Sequence, residues 1–385
     1  MPANTATFDL EPALGYPLRV HLAPWGAERP FAWYSEVDGE ALTSGDFLAP
    51  PGIAWPMLQA THGKTLMYGM PNPVSQVIHM APFLGVELAQ VCGQLPAARE
   101  LATVSPLLLI LLVDWASDAG LSRDAFLDCL AQKQPRLCRN VGLPDDQTTA
   151  KLLRRSVLRP MVPRDLLELK RTLNRPQDTS LLRHHRSLRL DHLSFLARYE
   201  GPRWPGLLCV IDGILEAQRP RSGHTAWLHR LLADVERMLG NNPQALRRVA
   251  SLAELQALHD RLVDRLNDHI DRVGHECSAT ALQVDYGNYP APPLDGNGLI
   301  TPLTSWAELL REGQRMRHCV GSYHREVANE QVDIYHLSGS EPVTVAIRSQ
   351  GNGWVVSEAR GRYNAMPSVE ATQHIQAWLD QASRG

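Results

Sequence analysis

The chain has 385 residues, 44% of them hydrophobic and 21% charged, with a formal net charge of −3. That length supports two domains with ample core, the composition is ordinary for a globular protein, and the charge excludes a polycation. The six cysteines, Cys92, Cys129, Cys138, Cys209, Cys277 and Cys319, are never spaced as C-x-x-C. This argues against a disulfide scaffold or a structural zinc site and for a reducing, cytoplasmic setting. No basic stretch followed by an apolar core opens the chain, and the longest apolar run, Pro106 to Val113, is too short to span a bilayer. No membrane partner is expected.

Residues 1–75 are rich in Pro and Gly and read as an irregular arm with a few short strands, Phe31 to Tyr34 among them. From 76 to 280 the spacing is helical. Ser105-Pro106 starts a buried helix that runs to about Asp118, Ser122 caps a helix carrying Phe126 and Leu130, and Asp145-Asp146 precede one carrying Leu152 and Leu153. Within this domain, residues 151–205 hold thirteen Lys and Arg against five Asp and Glu, with Arg183-His184-His185-Arg186 at the centre. Such a segment suits a surface that follows phosphates, with Arg154, Arg155, Arg183, Arg186 and Arg189 as its nucleic-acid contacts. The same arginines could instead pair with acids from other segments.

Residues 218–223 break helicity. Trp227 to Leu239 is amphipathic and stops at Gly240-Asn241-Asn242-Pro243. A capping box of Ser251 and Glu254 starts a helix carrying Leu255, Leu258, Leu262 and Val263. His259-Asp260 lies on it. Such a pair can bind metal, but nothing else stands at ligand spacing, so it reads as a polar helix face and no metal ligand is assigned.

Residues 281–385 form the terminal domain, entered through a Pro/Gly-rich lead-in at 285–304. Ser305 and Glu308 make a capping box, and Gly313 weakens the helix they start. A second helix, from about Gln314 to Val327, would place Arg315, Cys319 and Tyr323 on one face and His318 elsewhere. Val343, Val345 and Ile347 alternate with Thr344 and Ala346. After Gln350-Gly351-Asn352-Gly353, Trp354, Val356, Glu358 and Arg360 alternate with Val355, Ser357 and Ala359. This reads as a hairpin. A last helix carries Val369, Ile375, Trp378 and Leu379.

Cys319, His318 and Glu358 are the candidate catalytic residues, and Arg315, Arg317, Tyr323, Arg360 and Asn364 the candidate binding residues. If Cys319 is a nucleophile, its base comes from His324, His336 or Glu358, and Arg315 favours the thiolate. The alternative is structural: a buried Cys, a His satisfying a carbonyl, and a Glu358–Arg360 ion pair. No cofactor can be named.

Arg-Met-Arg-His-Cys-Val-Gly-Ser-Tyr at 315–323, Val-Thr-Val at 343–345 and Glu-Ala-Arg-Gly-Arg-Tyr-Asn at 358–364 together resemble the PcfJ-like family, over roughly residues 245–380. The resemblance implies a protein of conjugative plasmids, prophages and other mobile elements, and it carries no settled activity. The expectation is therefore an α+β chain, with a mainly helical N-terminal body and a small C-terminal α+β domain whose antiparallel hairpin packs on helices. Its function is expected to be nucleic-acid association in mobile elements or phage defence. DNA, RNA or a protein encoded on the same element would be its partner. A Cys-dependent enzyme acting on a peptide or small molecule, and a non-catalytic assembly module, are the alternatives.

Overall fold

The structure, a computed structural model, describes residues 5–186, 188–216, 224–240, 243–276, 289–351 and 353–382. The chain divides into two units, Met1–Leu208 and Cys209–Gly385. It is an α+β protein, helix-rich, with an antiparallel sheet in each unit. No helix among the described residues is long and apolar enough to cross a membrane.

The first unit opens with more order than an irregular arm. Strands β1 (Ala6–Asp9), β2 (Leu18–Leu22), β3 (Trp33–Val37) and β4 (Glu40–Gly45) form an antiparallel sheet in sequential order. Asp38 and Gly39, at φ 51° and 85°, turn β3 into β4. Two positive-φ residues between paired strands match the right-handed strand twist, and Asp-Gly is a frequent choice there. Helices follow from Trp55 onward. Helix α1 (Pro106–Asp118) is the core element, with Leu107 through Val113 fully buried. Helices α2 (Pro163–Leu173), α3 (Pro176–Leu182) and α4 (Leu190–Arg198) carry the arginine-rich segment.

The second unit begins well before the expected boundary at 281. Helices α5 (His224–Leu239) and α6 (Leu252–Glu276) read as helical from their spacing, but they pack on each other and on the terminal motif. Periodicity reveals an element's type, not which core receives its apolar stripe. The expected break at 218–223, the stop residues 241–242, Cys277 and the boundary region 281–288 lie outside the described residues.

The terminal sheet contains β5 (Ile300–Pro302), β6 (Asp333–Leu337), β7 (Val343–Gln350) and β8 (Gly353–Gly361), all antiparallel, in the order β8-β7-β6-β5. Both faces are covered, which explains its apolar content. Val343, Val345 and Ile347 join Tyr335 and Leu337 under helix α9 (Val369–Ala382), through Ile375, Trp378 and Leu379. Ala346 and Ile334 face the other way, toward Leu309 of helix α7 (Trp306–Met316) and toward Val320 and Val327.

Candidate functional site

The expected helix from Gln314 to Val327 does not form. Helix α7 starts as read, with the Ser305 hydroxyl accepting from the Glu308 N–H at 3.3 Å. It ends at Arg317, whose φ of 53° lies in the left-handed region. His318 is extended, Cys319–Tyr323 form a 3-10 turn, and His324–Ala328 form a short helix, α8. The His318 N–H bonds back to the Gly313 carbonyl at 3.2 Å, and a Cβ on Gly313 would stand only 3.2 Å from the His318 carbonyl oxygen. The glycine therefore permits a close approach of backbone. The break corrects the helical-face assignment. Arg315 and Arg317 are exposed and do not line the cavity, whereas His318 and Cys319, adjacent in sequence, both do.

A second local feature re-aims the strand. Val356 pairs with Ile347 and Glu358 with Ala346, so Ser357 is a bulge residue. Simple alternation would put Val356, Glu358 and Arg360 on one face. The extra residue shifts the phase. Val356 and Ala359 pack against the core under α9, while Glu358 and Arg360 line the cavity on the other side. Beyond the strand, Tyr363 and Asn364, at φ 57° and 59°, reach the same cavity. Such left-handed residues concentrate where the surrounding structure holds side chains for a purpose.

The cavity has a volume of about 420 Å³ and lies wholly within the second unit. It gathers the expected His318, Cys319, Tyr323, Glu358, Arg360 and Asn364, and adds Trp227, Arg230 and Asp234 from α5 and His259 and Asp260 from α6. The added residues on α5 repeat at three- and four-residue intervals, with Arg237 next on that stripe, and that spacing was their available signal. His259 is no exposed polar face residue: it is buried at 3% exposure.

Under the pocket lies a buried polar chain. The His336 Nδ1–H donates to Glu312 Oε1 at 2.8 Å, and the Thr344 hydroxyl donates to the same oxygen. With its proton committed, Thr344 Oγ1 accepts from His318 Nε2–H at 2.8 Å, which leaves Nδ1 of His318 as the unprotonated nitrogen. Burial lowers the His318 pKa to about 4, so the ring is neutral near pH 7. Burial alone would raise the Glu312 carboxyl, but its bonds from His336 and Thr344 hold it below the ordinary value. Among the described residues, Nε2 of His336 has no hydrogen-bond partner.

The wall above is a charged network. Glu358 Oε1 receives Arg360 Nε at 3.0 Å and stands 3.7 Å from Arg230 Nε, and Glu358 Oε2 accepts the Tyr323 hydroxyl at 3.0 Å. Arg237 lies 4.2 Å over the Tyr323 ring and holds Asp234 at 2.9 Å and Glu326 at 3.1 Å. Cys319 is buried, and burial pushes its thiol well above the ordinary range. The carboxylates of Asp234 and Glu358 add to that push, and Arg237 opposes it. The proposed help from Arg315 is thus absent, and Cys319 is no ready thiolate nucleophile. Asp234 Oδ, a His259 ring nitrogen and Cys319 Sγ lie within 4.8 Å of one another.

In the first unit the arginine-rich segment is largely spoken for. Arg159 pairs with Asp165 and Asp191, Arg164 and Arg198 with Glu168, and Arg203 with Asp178. Arg154, Arg155, Arg183 and Arg186 are exposed, and Arg189 is half-buried. Arg154 reaches Gln134 at 3.0 Å, Arg155 the Leu182 carbonyl, and Arg183 the His184 ring at 2.8 Å.

No curated protein and no solved structure matches the chain. The family model described as PcfJ-like protein matches residues 231–376, a span that includes every cavity-lining residue except Trp227 and Arg230. The C-terminal region of this chain is therefore PcfJ-like.

Proposed function

We propose that this is a nucleic-acid-associated protein whose C-terminal unit takes a nucleotide or strand end into its cavity. The observation that carries the reading is that two guanidiniums, Arg230 and Arg360, share one carboxylate, Glu358, in the wall of that cavity. Neither guanidinium has that carboxylate to itself, although Arg237, Asp234 and Glu326 beside them balance the wall without a surplus of positive charge, and Asp260, 75% exposed, is solvated. Arginine suits bidentate phosphate contact, and Trp227 and Tyr363 offer ring faces for a base. The exposed Arg154, Arg155, Arg183 and Arg186 of the first unit would contact backbone phosphates. A role in mobile elements or phage defence, and a cytoplasmic setting, belong to the same reading. A Cys-dependent enzyme is the weaker reading, because the Cys319 thiol is held protonated.

The test is fluorescence anisotropy with labelled single-stranded DNA and RNA across a salt series. Arg360→Ala is expected to weaken binding by about tenfold, the order of a charge-assisted contact. Arg183→Glu with Arg186→Glu should flatten the log–log salt slope by about two. Absence of binding by either nucleic acid at low salt would remove the proposal.

A further inference from the structure

We propose that Asp234, His259 and Cys319 form a three-ligand site for a divalent transition metal, zinc by the chemistry of its donors, with the fourth position left to water or substrate from the cavity. The three side chains come from α5, α6 and the 3-10 turn after α7, so only the fold assembles them. Their ligand atoms lie within 4.8 Å of one another. Metal bonds of about 2.0–2.3 Å in tetrahedral geometry put neighbouring donors about 3.5 Å apart, so movements of about an ångström close the set on an ion. One thiolate, one imidazole and one carboxylate suit zinc, whereas magnesium and calcium prefer oxygen alone. Three protein ligands beside an open cavity is the pattern of a catalytic metal, not of a closed structural one.

The neighbours fit that role. His259 Nδ1 is 3.1 Å from Asp260 Oδ1, which leaves Nε2 for the metal and orients the ring, the carboxylate–histidine–metal arrangement. Arg237 Nη1 holds Asp234 Oδ1 at 2.9 Å and fixes that carboxylate from outside. His259 and Cys319 are buried at 3% and 5% exposure, which shields the site while the cavity keeps it reachable. All three ligands fall inside residues 231–376, the PcfJ-like span.

This proposal is independent of the nucleic-acid reading, because its readout is the ion alone. Full-length protein stripped with a chelator is titrated anaerobically with Co²⁺ and followed by absorbance. A saturable thiolate-to-cobalt charge-transfer band at one ion per chain, displaced by zinc, is expected. Cys319→Ser should lose that band, His259→Gln should lose saturable binding, and Asp260→Asn should weaken binding about tenfold. Cys209→Ser, at an exposed thiol, should leave the band in place. No saturable band in the wild-type protein, or a band that survives Cys319→Ser, overturns the site. If circular dichroism shows that Cys319→Ser does not fold, His259→Gln decides, and unchanged cobalt affinity there overturns it equally.

Discussion

Arg203 in the first unit and Arg360 in the second both hold a carboxylate at hydrogen-bond distance, yet the two pairs differ in what surrounds them. Arg203 grips Asp178 through Nε at 2.7 Å, and its other nitrogens reach the carbonyls of Gly201, Leu196 and Tyr199. Asp178 is fully buried. That guanidinium is saturated and acts as a strut between α3 and the loop after α4. Arg360 shares its carboxylate with Arg230 and Tyr323 beside an open cavity, whereas Asp178, which also stands 3.8 Å from Arg175, is sealed from solvent with its partners. The same residue type is scaffold where its carboxylate is buried with it, and stays reachable where the shared carboxylate lines a cavity. Local charge in the sequence shows neither condition.

The strongest way to break this comparison is at the strut. Asp178→Ala leaves Arg203 desolvated and unpaired, and removing one partner of a buried pair costs about 3–5 kcal/mol. Urea denaturation of the variant should show that loss, and a change under about 1 kcal/mol would mean the pair is no strut.

The pocket side is sharpened by acid. The His318 pKa falls from 6.5 in the unfolded chain to about 4 in the folded one, so its contribution is complete above pH 6.5 and is lost as pH falls toward 4. The unfolded chain then binds the proton the folded one refuses. The expected loss is about 3 kcal/mol over that window, and His318→Gln should flatten it. An unchanged pH profile in that variant would place the titration elsewhere.

The smallest effect is expected at the exposed arginines. Arg154→Ala should shift the unfolding free energy by no more than about 0.5 kcal/mol. A larger loss would make even the exposed members of the segment structural.

The terminal hairpin and the start of α7 were plain in the sequence because both are written locally, the first in the alternation of Val343, Val345 and Ile347, the second in Ser305 and Glu308. The Asp38-Gly39 turn is equally local, an Asp-Gly pair between the short strands β3 and β4. The break at Arg317 was not readable, because a left-handed arginine has no residue-type signature, and Gly313 hinted only at a weak helix. Asp234 and His259 were hidden for a different reason. Helix spacing grouped Asp234 with Arg230 and Arg237, but only tertiary packing sets α5 beside α6 and the turn of Cys319. The HD pair looked partnerless because its partners stand 25 residues before it and 60 after it in the numbering.

Ser357 sets the reading frame of the last strand. Everything N-terminal to it is indexed to the core under α9, and everything C-terminal to it is indexed one step later. Substitutions along β8 can therefore alter the core or the cavity separately, since each frame answers to its own set of neighbours. Loss of a single residue at Ser357 differs in kind from any substitution there. It would remove the bulge and leave an unbroken alternation in which Val356 and Ala359 still face the core and Glu358 and Arg360 still face the cavity. Taking Ser357 into the ladder without removing it would instead rotate Glu358 and Arg360 out of the cavity together and turn Ala359 into it. The chemistry of the pocket thus depends on whether Ser357 stands inside or outside the ladder as much as on residue identities.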